Sequence, residues 1–143
     1  MKRIVISTLL ATTLLLSNSS ANNSSINSTS KIVESYEKLA SQGEIEAMFN
    51  LGLIYLTGDG AKQDYTKAKE WFLKAANKND TMSAYNLALI YKNGLGVPKN
   101  DKEAYKYFLI AADKNYAQAQ YMLGNMIEKG QGAKKDLKEA FSW

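Results

Sequence analysis

A repeat of 36 residues runs through most of this 143-residue chain and restricts the folds open to it. When the sequence is shifted by 36 positions, leucines, glycines, alanines and aromatic residues fall on one another without a gap. The coinciding sets include Leu51, Leu87 and Leu123; Gly58, Gly94 and Gly130; Gly60, Gly96 and Gly132; Ala68, Ala104 and Ala140; and Trp71, Tyr107 and Trp143. A period of roughly 20–50 residues is typical of solenoids, in which stacked units share one continuous core.

Each repeat predicts two helices joined by a corner. In the first helix, Ala47, Leu51 and Tyr55 share one face at intervals of four residues. The second helix carries an amphipathic stripe with spacings of three and four residues, which faces a core. Its members in the first repeat are Ala68, Trp71, Phe72, Ala75 and Ala76. The aromatic residues assigned to the core are Trp71, Phe72, Tyr107 and Phe108.

A Gly-x-Gly motif lies at each corner, as GDG, GLG and GQG. A phosphate-binding loop of this kind occurs once, after a strand, with a third glycine or a Gly-Lys-Ser/Thr ending. Here the motif occurs three times, always after a helical pattern, so we interpret it as a turn that needs positive φ.

Asp64, Asn100 and Asp136 follow the corners and are predicted N-caps. The second helices are predicted to end at Asn79 and Asn115, with Gly43 at the matching position one period earlier.

The N-terminus has the pattern of a secretory signal peptide over residues 1–21. Lys2 and Arg3 precede a short apolar run, and the small residues Ser19 and Ala21 mark a cleavage site. We therefore expect an exported protein, periplasmic or secreted, without a stable membrane span after cleavage. Loss of Lys2 and Arg3 lowers the formal net charge from +4 to +2. The Ser- and Asn-rich residues 22–30 predict a flexible linker.

Composition excludes several chemistries. The chain has no cysteine and no histidine, which excludes disulfides, His-metal sites, Cys-His pairs and Ser-His-Asp triads. The Ser-x-x-Lys pairs beginning at Ser28 and Ser35 lack the accompanying Ser-Asp-Asn and Lys-Thr-Gly motifs of serine β-lactamases. Lysines do not cluster at the density of a nucleic-acid-binding patch. We therefore predict no catalytic residue, no metal, no cofactor and no nucleic-acid partner.

The stretch AMFNLGLIYLTGDGAKQDYTKAKEWFLKAA resembles a Sel-one-like repeat (SLR), a relative of the tetratricopeptide repeat (TPR). The matching features are Ala-x-x-x-Leu-Gly-x-x-Tyr, Gly-x-Gly, Asp-x-x-x-Ala and Trp-Phe-x-x-Ala-Ala. The resemblance implies an all-α fold, a TPR-like α/α superhelix of 36-residue helix-turn-helix repeats over residues 31–143. A capping helix is expected at 32–42, followed by repeats at about 44–79, 80–115 and 116–143, the last one incomplete.

The same resemblance implies a protein-protein interaction scaffold that binds a peptide or partner protein through a concave surface. Positions carried over to that surface are Phe49, Asn50, Tyr85, Asn86 and Tyr121. The alternative is that these aromatics pack between helices, which is the commoner role of a helical aromatic stripe. Some secreted members of the family are cysteine-rich and are described as β-lactamases or penicillin binders. Such an activity is the second functional class that the resemblance implies. Because this chain has no cysteine, it is a poor match to that subgroup. An inactive truncated fragment is the third possibility.

Overall fold

The computed structural model describes residues 19–133 and 142–143, and these form helices connected by short corners. The six described helices are α1 (Ser19–Ser41), α2 (Ile45–Thr57), α3 (Tyr65–Ala76), α4 (Thr81–Asn93), α5 (Asp101–Ala112) and α6 (Ala117–Lys129). The described part of the chain contains no strand. The prediction of an all-α solenoid of helix-turn-helix repeats is confirmed.

Helix α1 begins earlier than the sequence predicted. A capping helix was expected from residue 32, after a flexible linker at 22–30, but the backbone is helical from Ser19 to Ser41. Residues 19–30 contain neither proline nor glycine, and serine and asparagine weaken a helix without breaking it. The packed turns around Ala40 therefore continue into a polar helical extension. The predicted second helix of the last repeat lies largely at 134–141, outside the described residues.

The glycine corners have the predicted left-handed geometry. Gly58, Gly94 and Gly130 cap the first helices with φ values of 78°, 66° and 67°. A side chain at such a φ is strained, whereas glycine is not. The corner is also closed by the backbone: the Asp64 amide donates to the Tyr55 carbonyl at 2.8 Å, and the Asn100 amide to the Tyr91 carbonyl at 2.9 Å. The motif is thus a structural corner in the two repeats that carry these bonds.

Two of the predicted N-caps are formed, and a third lies outside the described residues. The Asp64 carboxylate accepts a hydrogen bond from the Lys67 amide, and the Asn100 side chain accepts one from the Glu103 amide. Asp136 is among the residues that the structure does not describe. The second helices end at Ala76 and Ala112, three residues before the predicted Asn79 and Asn115, and those two residues have positive φ, as does Gly43.

One cap was missed by the sequence argument. The Asp80 carboxylate, which is buried, accepts a hydrogen bond from the Ser83 amide at 2.8 Å and caps α4. The matching residues Glu44 and Tyr116 make no side-chain cap. Of the three first helices, only α4 therefore starts with a side-chain cap, although the 36-residue period aligns all three.

The core runs along the stack and is built from neighbouring helices. Helix α2 packs on α3 and α4 on α5 within repeats, while α1 with α2, α3 with α4 and α5 with α6 pack between them. Close packing depends on small residues: a methyl group added at Gly52 would lie 2.5 Å from the Phe72 ring. The largest fully buried side chains are Phe72, Phe108, Leu51, Leu87, Ile90, Leu123, Met126 and Ile127.

Of the four aromatic residues assigned to the core, Trp71 is the exception. Phe72, Tyr107 and Phe108 are buried, whereas Trp71 is only partly buried. The Lys74 ammonium lies 3.9 Å from the Trp71 ring centroid, so one ring face meets a cation and not the core. The aligned Tyr107 instead stacks on Tyr91, with ring centroids 5.9 Å apart. Residues at one register position therefore differ in burial from repeat to repeat.

Candidate protein-binding surface

The first helices of the three repeats present one recurring set of outward positions. These positions, the first-helix face, are 46, 49, 50 and 53 in α2 with their equivalents 36 and 72 residues later. Each set follows the spacing of a single helix face. None of these residues is fully buried. They are Glu46, Phe49, Asn50, Leu53, Met82, Tyr85, Asn86, Leu89, Gln118, Tyr121, Met122 and Asn125.

The first-helix face is almost free of charge. Glu46, in the first turn of α2, is its single acidic or basic residue, and the remaining side chains are aromatic, aliphatic or amide. The second helices differ sharply, since α3 and α5 each carry four charged residues within twelve. Hydration of the solenoid therefore depends mainly on the second helices and the corners.

Phe49 lies at the α2 end of this face and is partly buried. Its ring centroid is 5.9 Å from that of Phe72, with the rings tilted at 52°. Phe72 itself is fully buried, and Phe49 packs against the core as a whole. Phe49 therefore has a packing role and also leaves part of its ring at the surface.

Tyr85 has the most extensive aromatic surroundings on the face. Its ring makes edge contacts with Phe108 at 5.6 Å and with Tyr116 at 5.1 Å between centroids. Burial of the phenol, together with the neighbouring Tyr116, raises the pKa of Tyr85 above its ordinary value. The Tyr85 side chain is thus neutral across the physiological range.

Tyr121 is the exposed member of the series, with 71% of its surface accessible. Phe49 and Tyr85 each contact a phenylalanine 23 residues further along, Phe72 and Phe108. Tyr121 has no such ring contact among the described residues.

Two of the three asparagines on the face, Asn86 and Asn50, have different surroundings. The Asn86 amide nitrogen donates a hydrogen bond to the Met82 carbonyl of its own helix at 2.8 Å. This bond orients the side chain and leaves its oxygen as the group able to accept a bond from a ligand. Asn50 is partly buried in α2.

The structure places all five sequence-predicted residues on first helices, at equivalent positions of the repeat. It does not give them one role: Phe49 and Tyr85 contribute to packing, and Tyr121 does not. The sequence argument missed Tyr116, which contacts Tyr85. The available signal was the position of Tyr116 in the repeat, where it is aligned with Glu44 and Asp80, the residues that precede the other two first helices.

The residues considered for catalysis have other surroundings. The Ser35 hydroxyl donates to the Lys31 carbonyl of its own helix at 2.8 Å, an ordinary bond for serine within a helix. The other candidate, Ser28, belongs to the part of α1 whose side chains are not described. Within the described residues, no group of three or more acidic, histidine or cysteine side chains is arranged to hold a metal ion.

The corners, the stacked helix pairs and the nearly uncharged first-helix face define an α-solenoid of the repeat-scaffold class. The Sel1 repeat family profile matches residues 45–80, 81–116 and 117–143, more than half of the sequence, so the chain belongs to the Sel1 repeat family. Proteins of this family are in general non-enzymatic scaffolds for protein-protein interactions. No curated protein sequence matches the chain.

Solved structures show the same fold. A protective antigen present in uropathogenic Escherichia coli strains, which displays an SLR fold, is 38% identical with a TM-score of 0.74, over 78% of this chain and 24% of its own length. The Sel1 repeat protein from Oxalobacter formigenes is 33% identical with a TM-score of 0.70, over 77% and 45% respectively. This chain therefore spans less than half the length of either protein.

A third structure is more distant in sequence and matches over most of its length. Helicobacter pylori cysteine rich protein B is 22% identical, with a TM-score of 0.63, over 82% of this chain and 84% of its own. At that identity the likeness concerns the fold alone. Among the helices described, none has the length and apolar character needed to cross a membrane.

Proposed function

We propose that this chain is an interaction scaffold that binds a peptide or a partner protein through the first-helix face. The observation that carries the proposal is the row of incompletely buried aromatic side chains at one register, Phe49, Tyr85 and Tyr121, which ends in a largely exposed tyrosine. Exposed aromatic residues supply much of the binding energy at protein interfaces, because they bury a large area with few rotatable bonds.

The opposite side of the stack is a less suitable surface for specific binding. The second helices present lysine and acidic side chains, and three of those lysines lie over rings of their own chain: Lys67 over Tyr55, Lys74 over Trp71 and Lys106 over Tyr107. Exposed charges of this kind contribute little net energy to association, since they lose hydration and are screened by salt. The first-helix face has almost none of these charges to desolvate.

We propose in addition that the protein is exported after removal of residues 1–21. The basic start, the short apolar run and the small residues Ser19 and Ala21 support this proposal. Intact-mass measurement of the protein from the envelope or medium is expected to give a chain that begins at Asn22. Recovery of the full-length chain from the cytoplasm alone would contradict export.

The binding proposal is tested with Tyr121→Ala, because an exposed side chain can be truncated without loss of the fold. Proteins retained by the wild-type chain from a cell-envelope extract are identified, and their affinities are then measured with purified components. We expect Tyr121→Ala to remove a contact of about 2 kcal/mol, which weakens binding roughly thirtyfold.

The matched control is Ile110→Ala, which truncates an apolar residue that is 40% exposed on the second helix α5. This variant is expected to bind like the wild type. Equal loss of affinity in the two variants would show that the contact surface is not the first-helix face. Circular dichroism spectra of both variants are expected to match that of the wild type.

A further inference from the structure

We infer that the segment bound by the first-helix face is itself uncharged, an aliphatic and aromatic peptide whose affinity is nearly independent of salt. This inference rests on the proposed binding function and adds the chemical class of the partner. Its basis is the distribution of charge between the two kinds of helix, together with the polar groups that remain on the face.

The face offers no counter-charge along most of its length. From position 49 to position 125 every residue of the first-helix face is aromatic, aliphatic or amide, and Glu46 lies at one end in the first turn of α2. A charged side chain of the partner would lose hydration on burial against Phe49, Tyr85 or Leu89 without gaining an ion pair. Uncharged side chains avoid that loss and gain from the burial of apolar area.

The titratable groups within the face do not alter this conclusion. A tyrosine keeps its proton at neutral pH, since its ordinary pKa is about 10, and burial together with Tyr116 raises the pKa of Tyr85 further. Besides Glu46, the charged residues within the first helices are Lys92 in α4 and Glu128 and Lys129 in α6, and Glu44 and Asp80 directly precede α2 and α4; all of these lie outside the repeating positions of the face. The face is therefore neutral at physiological pH apart from Glu46.

The amide groups add directional recognition without charge. Because the Asn86 nitrogen is bonded to the Met82 carbonyl, its oxygen is available as an acceptor for a backbone N–H of the partner. Gln118 is exposed and Asn125 is partly exposed on α6, near Tyr121 in the helix sequence. Aromatic and aliphatic contacts flanked by such amides suit a peptide that presents apolar side chains and its own backbone.

The experiment uses three sets of synthetic peptides with blocked termini, which removes the terminal charges. All sets share the same aromatic and aliphatic residues, and the intervening positions are asparagine and serine, glutamate, or lysine. Binding to the full chain is measured by calorimetry at low and high salt, about 0.01 M and about 1 M, where the screening length falls from about 30 Å to about 3 Å. The variants Tyr121→Ala and Ile110→Ala are measured in parallel.

We expect the uncharged set to bind most tightly, with an affinity that changes less than about threefold between the two salt concentrations. Tyr121→Ala should weaken this binding at least about tenfold. Ile110→Ala should leave it unchanged.

The other outcomes separate the two proposals. Tighter binding of an acidic or basic set, still dependent on Tyr121 and weakened by salt, would overturn the neutral-partner inference while leaving the surface in place. Binding of the uncharged set that is unaffected by Tyr121→Ala would overturn the proposed surface. Failure of all three sets to bind would overturn the inference that such a peptide is sufficient for recognition.

Discussion

Tyr85 in α4 and Tyr121 in α6 occupy the same register of successive repeats, yet they differ in their surroundings. Tyr85 is held between the rings of Phe108 and Tyr116, whereas 71% of the Tyr121 surface is accessible. The residue type and the register are the same, so the difference lies in the surroundings, since Tyr85 has a ring of α5 and the ring of Tyr116 beside it. In a solenoid, burial is a property of neighbouring repeats as much as of the residue itself.

The largest expected effect on this comparison comes from removing the ring beneath Tyr85. Phe108 is fully buried, so Phe108→Ala should lower the free energy of unfolding by about 3–5 kcal/mol through lost burial and a cavity. It should also leave Tyr85 more accessible, and thus more like Tyr121. Urea denaturation measures the free energy of unfolding, and quenching of tyrosine fluorescence measures the accessibility of Tyr85. A loss under about 1 kcal/mol would show that Phe108 does not anchor this part of the stack.

Truncating the two tyrosines themselves should give unequal results. Tyr85→Ala removes two aromatic edge contacts and part of the core, and we expect a cost of about 2–3 kcal/mol. Tyr121→Ala should change stability by no more than about 0.5 kcal/mol. Thermal and urea denaturation of both variants provide the measurement. Equal costs would mean that the exposure of Tyr121 is a poor guide to its energetics.

A smaller effect distinguishes the turns that precede the two tyrosines. Ser83 is fully buried, and its hydroxyl has no hydrogen-bond partner among the described residues, while Ala119 occupies the matching place in α6. Ser83→Ala should therefore stabilise the chain by about 1 kcal/mol, since it removes a buried unsatisfied hydroxyl. The reverse change, Ala119→Ser, should destabilise it. Loss of stability in Ser83→Ala would indicate that the hydroxyl makes a favourable interaction.

The smallest effect concerns alkaline pH. Burial raises the pKa of Tyr85, and the neighbouring Tyr116 raises it further. Burial also raises the pKa of Tyr107. There the charge of Lys106 acts in the opposite direction, while Tyr91 and Glu103 add to the increase. A phenol that is harder to ionise when folded stabilises the fold below its unfolded pKa, about 10, and this stabilisation is lost as pH rises toward the folded pKa.

The measurement for this prediction is the free energy of unfolding across the alkaline range. Tyr85→Phe and Tyr107→Phe should each reduce the loss of stability above about pH 10, and the double variant should reduce it further. These substitutions keep the ring and remove the ionisable hydroxyl. An unchanged alkaline slope in the double variant would assign the loss to other groups.

Much of the local structure could be predicted from the sequence because its causes are local. Gly58 and Gly94 end helices through a backbone conformation that glycine adopts without strain, and Asp64 and Asn100 cap the next helices through a hydrogen bond three residues away. The 36-residue period then implies stacking, since one helix pair cannot bury its own apolar stripe. For the same reason Phe72 and Phe108 were correctly assigned to the core.

Other properties depend on side-chain contacts that the period does not specify. Trp71 and Tyr107 are aligned, and each lies under a lysine of its own helix, but Tyr107 also stacks on Tyr91 of α4. Helix α1 also begins at Ser19, earlier than the predicted residue 32. The reason is that the packed turns of a helix can extend through a polar stretch that has no helix breaker.

The amino-acid sequence by itself determined the repeat, the helix pairs, the corners and the absence of cysteine and histidine chemistry. Each of these follows from residue type and short-range spacing. Only the tertiary structure decided which aromatic residues of the first-helix face are packed and which one is open, with Tyr85 enclosed and Tyr121 exposed. The physical reason is that accessibility is set by atoms from distant parts of the chain, whose positions are fixed only when the repeats stack.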